Sequence, residues 1–156
     1  MILLAGVGGY LLRGRQSKST PAAASNANST AQTSGTTIDY SGKSLTAFPN
    51  ELLSNKSIMS LDLSNNQLTT LPAGIQNLAN LQQLNVSNNR LTSISAEIGQ
   101  LKHLKTLNFN NNRLTSLPPE LGNLTQLQVL DISGNNLSQN DIGAVRSKLP
   151  NTQIKT

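Results

Sequence analysis

The 156-residue chain has no cysteine, no tryptophan, two tyrosines, two phenylalanines and one histidine. Without cysteine there is no disulfide framework, no thiolate zinc site, no cysteine nucleophile and no lipidated cysteine anchor. The redox compartment stays open, because a chain without cysteine suits either side of a membrane. The seven acidic residues are scattered, with no spacing that fits metal ligands or a general acid and base pair. His103, the single histidine, stands just before Leu104 with no carboxylate or nucleophile in register, and reads as a surface residue. Gly6-Val7-Gly8-Gly9 follows no strand and precedes no phosphate-binding helix, so it is not a nucleotide loop. No catalytic residue, cofactor site or metal site is expected.

Charge of either sign is sparse, at 12% of residues, yet the net charge is +5. Arg13, Arg15 and Lys18 supply three of those charges, which leaves nine basic against seven acidic residues in the rest of the chain. The basic balance is therefore mostly local to one end. A nucleic-acid partner, which calls for a basic stripe with stacking aromatics, is not expected.

Three regions differ in composition. Ile2 to Leu12 is apolar and is followed by the basic stretch "RGRQSK". Eleven apolar residues are too few to cross a bilayer, which takes about twenty. They suit a signal-peptide core, but the basic residues that normally precede one are missing, and the small residues Ala22 to Ala24 lie far from the apolar run. Residues 1–15 are expected to be a membrane anchor or signal-like segment, the end of a longer membrane helix with Met1 internal. Residues 16–35 are small and polar, cannot bury enough surface to offset their ordering entropy, and are expected to form a disordered linker. The positive-inside rule favours a cytoplasmic side, whereas the Ser/Thr/Ala/Asn linker resembles a bacterial cell-surface spacer. Anchoring at the cell envelope, facing outward, is the expectation; a cytoplasmic location is the alternative.

From about residue 36 the apolar residues recur at a fixed step. Asn66, Asn89, Asn112 and Asn135 are 23 residues apart, and so are Leu61, Leu84, Leu107 and Leu130. Leu63, Val86, Phe109 and Ile132 keep the step, as do Leu68, Leu91, Leu114 and Leu137, and Ile58, Leu81, Leu104 and Leu127. Four units match L-x-x-L-x-L-x-x-N-x-L; a looser fifth, "TTIDYSGKSLTAFP", has Lys43 in place of the asparagine. Such a short unit cannot bury its own leucines, so stacked coils about 4.8 Å apart must share one core.

This pattern resembles the leucine-rich-repeat family, and the second halves "LTTLPAGIQNL" and "LTSLPPELGNL" are similar to its bacterial, Ras-suppressor-type subclass. The resemblance implies an α/β, right-handed solenoid of about five coils over residues 36–156. It further implies a parallel concave sheet and short helical or 3₁₀ convex turns. The residues agree with it: Leu61 and Leu63 alternate with polar residues as in a strand, and Ile75, Leu78 and Leu81 fall three apart as in a tight helical return. From about residue 138 the pattern changes. Asn140 or Ser138 is an N-cap, Ile142, Val145 and Leu149 share a helical face, and Pro150 ends the helix. Thr152 to Ile154 would add an edge strand. This segment reads as a C-terminal cap.

The asparagine column Asn66, Asn89, Asn112 and Asn135 is expected to be structural, each side chain bonding the turn that leaves a strand. Outward strand residues are left for a partner: Asp62 and Ser64; Gln83 and Asn85; Thr106, Asn108 and Asn110; and Asp131. Arg90 and Arg113, at the same place in adjacent coils, are added because paired guanidinium groups can grip a carboxylate or phosphate. The expected function is a non-catalytic protein-interaction module, monomeric, tethered to a membrane by its N-terminal segment, with an unidentified protein on the concave sheet. The alternative is a structural or adhesive envelope protein that binds a surface polymer.

Overall fold

The structure, a computed structural model, describes residues 35–156. The anchor expected at 1–15 and the linker up to residue 34 lie outside the described residues. Six strands form one parallel sheet in chain order: β1 (Thr36–Asp39), β2 (Ile58–Asp62), β3 (Gln83–Asn85), β4 (Thr106–Asn108), β5 (Val129–Asp131) and β6 (Gln153–Lys155). Register follows the sequence period: Leu61 pairs with Leu84, Leu84 with Leu107 and Leu107 with Leu130. The last step is one residue longer, with Leu130 opposite Ile154, and a bulge interrupts β1 between Thr36 and Thr37. The expected edge strand therefore forms one residue later than its apolar pattern suggested.

Because parallel neighbours require a crossover, each strand is returned by the convex side of its coil. Four of these returns are five-residue 3₁₀ turns: Asn50–Ser54, Ala73–Asn77, Ala96–Gln100 and Pro119–Asn123. Each is entered through a residue with φ near the proline value: Pro49, Pro72, Ser95 and Pro118, at −70°, −71°, −71° and −69°. Each is closed by a backbone bond of 3₁₀ type, as when Leu78 N–H donates to the carbonyl of Ile75. A 3₁₀ turn covers the return in few residues, which keeps the repeat at 23. One leucine or isoleucine per turn, at Leu52, Ile75, Ile98 and Leu121, is buried at the same position.

The core is a stack of columns. Ile58, Leu63, Leu68, Leu78, Leu81, Leu101, Leu104, Leu114 and Leu124 are wholly buried. At roughly 1.5–3 kcal/mol per buried aliphatic side chain, this stack is the main favourable term of the domain.

The fifth return departs from the rest. It is α1 (Gln139–Lys148), a ten-residue helix. Ser138 is its N-cap: its Oγ accepts the N–H of Asp141 at 3.1 Å and donates to the Asp141 carboxylate at 2.6 Å. Ile142, Val145 and Leu149 are buried against the last coil. Thr152 Oγ1 then donates to Leu127 O at 2.7 Å, steering the chain into β6.

Candidate functional site

Polar residues on the sheet side of the solenoid fall into four columns, each with its own task. The first is the asparagine column. Asn89 Nδ2 donates to three carbonyls, Leu63 of the preceding coil and Val86 and Ser87 of its own, at 2.9 to 3.2 Å. Its Oδ1 accepts the N–H of Leu68 at 3.0 Å. Asn66, Asn112 and Asn135 repeat this set, through Leu45, Leu91 and Leu114 respectively. Each asparagine thus reaches back to the coil before it. The first coil has no preceding coil among the described residues, and there Lys43 stands exposed in the column.

The second column is Asp39, Asp62, Asn85, Asn108 and Asp131, at the end of each strand. In every case the side-chain Oδ1 accepts the backbone N–H two residues on, from Ser41, Ser64, Ser87, Asn110 and Ser133, at 2.8 to 3.2 Å. These Asx turns bend the chain out of the strand. They also tie neighbours together: Asn85 Nδ2 donates to Asp62 Oδ2 at 3.0 Å, and Lys155 lies 3.8 Å from Asp131 Oδ2. Strands β3 to β5 are consequently only three residues long. Ser64, expected to face a partner, lies beyond its strand with 5% of its surface exposed and offers a partner little. The cause is the bend that Asp62 imposes. Asn110 also lies beyond its strand; it stays half exposed and donates to Ser133 Oγ at 2.7 Å.

The third column went unread in the sequence. Gly42, Asn65, Asn88, Asn111 and Gly134 keep the 23-residue step and all have positive φ, between 53° and 67°. Asparagine and glycine are the residues that enter this left-handed region at least cost. Their recurrence one position before the ladder asparagine was the available signal.

The fourth column holds Gln67, Arg90, Arg113 and Asn136, at the edge past the sheet. Arg90 and Arg113 are exposed, and neither guanidinium is hydrogen-bonded or ion-paired among the described residues. Their backbones are fixed, with Arg90 N–H donating to Leu68 O and Arg113 N–H to Leu91 O.

What remains for a partner is the outward face of the middle strands. Ser60, Asp62, Gln83, Asn85, Thr106 and Asn108 line a shallow depression of about 260 Å³ there. Gln83 is exposed, and Thr106, Asn108 and Asp131 are half-buried. Asp39 has its carboxyl held below the usual carboxylate range, by the Ser41 hydroxyl, then the Ser41 N–H, then the charge of Lys43. His103 is exposed on the convex return. Among the described residues no group of three or more acidic or histidine side chains is placed to hold a metal ion.

The leucine-rich-repeat region model matches residues 50–149. The chain belongs to the leucine-rich-repeat family. Among solved structures, a leucine-rich-repeat protein of Leptospira interrogans is 39% identical with a TM-score of 0.68; the match covers 70% of this chain and 28% of that one. The BIR3–SERK2 complex of Arabidopsis thaliana gives 38% identity and a TM-score of 0.55, over 59% of this chain and 51% of that one. Internalin C2 of Listeria monocytogenes gives 24% identity and a TM-score of 0.61, over 70% of this chain and 46% of that one, and so bears on the fold alone. No curated protein matches. The chain thus spans about a quarter of the Leptospira protein and half of the Arabidopsis chain. Leucine-rich-repeat proteins generally mediate protein–protein interaction and are typically non-catalytic. No helix among the described residues is long and apolar enough to cross a membrane.

Proposed function

We propose that this leucine-rich-repeat domain is a protein-binding module whose partner lies across the outward sheet face, held at the cell envelope by its N-terminal segment. One observation carries the reading: Gln83 and Thr106 stand in register beside the amide nitrogen of Asn108, free among the described residues, around an open depression, while the frame's own bonds are completed behind them. Parallel strands about 4.8 Å apart present such side chains as a rigid grid, so a partner meets donors and acceptors whose ordering entropy is already lost. The Arabidopsis relative was solved as a complex of two proteins, which agrees with this use of the fold. The tether rests on the apolar run Ile2 to Leu12 and the polar linker that follows it.

Capture from envelope fractions on the full chain tests the reading, followed by protease treatment of the captured material. A defined protein that is lost when Gln83→Arg and Thr106→Arg fill the depression supports it. Capture of protease-resistant surface polymer alone contradicts it and favours an adhesive envelope protein.

A further inference from the structure

Charge is segregated around each coil. The edge that runs from a strand's exit to the next convex turn comprises residues 42–47, 65–70, 88–93, 111–116 and 134–139. These segments contain Lys43, Arg90 and Arg113 and no aspartate or glutamate. All seven acidic residues are elsewhere: Asp39, Asp62 and Asp131 on strands, Glu51, Glu97 and Glu120 in 3₁₀ turns, and Asp141 in α1. The edge is also rich in free donors, with Thr92, Ser93, Thr115 and Ser116 all exposed beside the two arginines.

Arg90 and Arg113 are the only two cations that share a position in adjacent coils. Their coils are clamped together where the arginines emerge. Asn111 Nδ2 donates to Asn88 Oδ1 at 3.0 Å, and Asn112 Oδ1 accepts Leu91 N–H at 3.0 Å. The two stems therefore start from a rigid base about one strand spacing, roughly 4.8 Å, apart. An extended peptide places same-side carboxylates about 7 Å apart, within reach of two arginine side chains, and each guanidinium fork matches a carboxylate through two parallel hydrogen bonds.

We propose that this edge takes the carboxylates of an acidic protein segment, with Arg90 and Arg113 as the paired recognition groups and the neighbouring threonines and serines as additional donors. The proposal rests on the protein-binding reading and names the chemistry of the partner at one border of the same surface. Exposed ion pairs are individually weak, so the two together set specificity and contribute about tenfold in affinity.

A fluorescein-labelled oligoglutamate peptide titrated with the full chain, read by anisotropy at low and at physiological salt, tests this. The peptide binds, its affinity falls as salt rises, and R90A/R113A weakens it about tenfold without moving the thermal midpoint. K56A/K105A removes the same charge from exposed sites elsewhere and leaves the affinity within about twofold. Equal loss in both double variants, no loss in R90A/R113A, or displacement of the peptide by equimolar inorganic phosphate would each overturn the assignment. If the peptide does not bind, yet capture of a protein still depends on Gln83 and Thr106, the acidic edge fails and the protein-binding reading stands.

Discussion

Asn89 and Leu68, 21 residues apart in the chain, are joined by one bond: the Leu68 N–H donates to Asn89 Oδ1 at 3.0 Å. That bond links two coils that share no covalent turn at this point, and the same side chain holds three further carbonyls. Asn89→Ala leaves the buried Leu68 N–H without a partner and takes one of two bonds from each of the Leu63, Val86 and Ser87 carbonyls, at a cost of about 2–3 kcal/mol. Lys43→Ala, in the same column of the first coil, costs less than about 0.5 kcal/mol, because it bonds no preceding coil among the described residues. Denaturant unfolding of the two variants measures the difference, and equal costs would show that the column does not tie coil to coil.

Ser95 holds the place that Pro72 and Pro118 fill in neighbouring coils, with φ of −71° and ψ of 147°. Its buried Oγ has no hydrogen-bond partner. Ser95→Pro keeps the backbone angles, narrows the unfolded ensemble and removes an unpaired hydroxyl. A gain of about 0.5–1 kcal/mol is expected in thermal unfolding. A lower midpoint would mean that the 3₁₀ turn in this coil differs from its neighbours.

Gly134 and Gly42 occupy the same column, at φ of 67° and 62°. A Cβ on Gly42 meets open space, whereas one on Gly134 collides with Asn111 Oδ1. Gly42→Ala therefore costs only the left-handed backbone penalty, about 1 kcal/mol, and Gly134→Ala costs more because the side chain of Asn111 must also move. Comparing the two melting curves separates conformation from contact.

The Asp39 carboxyl accepts hydrogen bonds from Ser41 and titrates below its ordinary value. A depressed folded pKa gives stability that is present above the unfolded value and is lost as pH falls through the folded one. Ser41→Ala removes the hydroxyl, the leading cause, so the Asp39 resonance in an NMR titration shifts its midpoint upward while the backbone bond remains. An unmoved midpoint would place the cause elsewhere.

Much of the fold was legible because one period governs everything. The leucine columns, the asparagine ladder and the 3₁₀ returns could all be placed by adding 23 to a residue number, and the C-terminal helix showed where that step fails, with its N-cap open between Asn140 and Ser138 until the structure placed it at Ser138. Ser64 was misplaced as an outward residue for a local reason. Strict alternation assumes that a strand continues, and the Asx bonds of Asp62 and Asn85 end the strands first. The left-handed column was missed although its Gly/Asn content stood in the sequence, because attention to the apolar period passes over a conformational one. The proposed partner surface was the least legible part, since Asp62 and Asn85 give both ends of their side chains to the frame, and Asn108 and Asp131 each give it Oδ1.

The central claim is that the outward sheet face binds a protein. Its most direct measurement is the dissociation constant of the captured partner for the full chain, for Q83R/T106R, and for Gln76→Arg on the exposed convex turn as control. Neither sheet-face residue makes a side-chain hydrogen bond among the described residues, so the face can be blocked without touching the frame. The account predicts loss of binding in Q83R/T106R, unchanged affinity in Q76R and matching thermal midpoints in all three. Unchanged affinity in Q83R/T106R would contradict it.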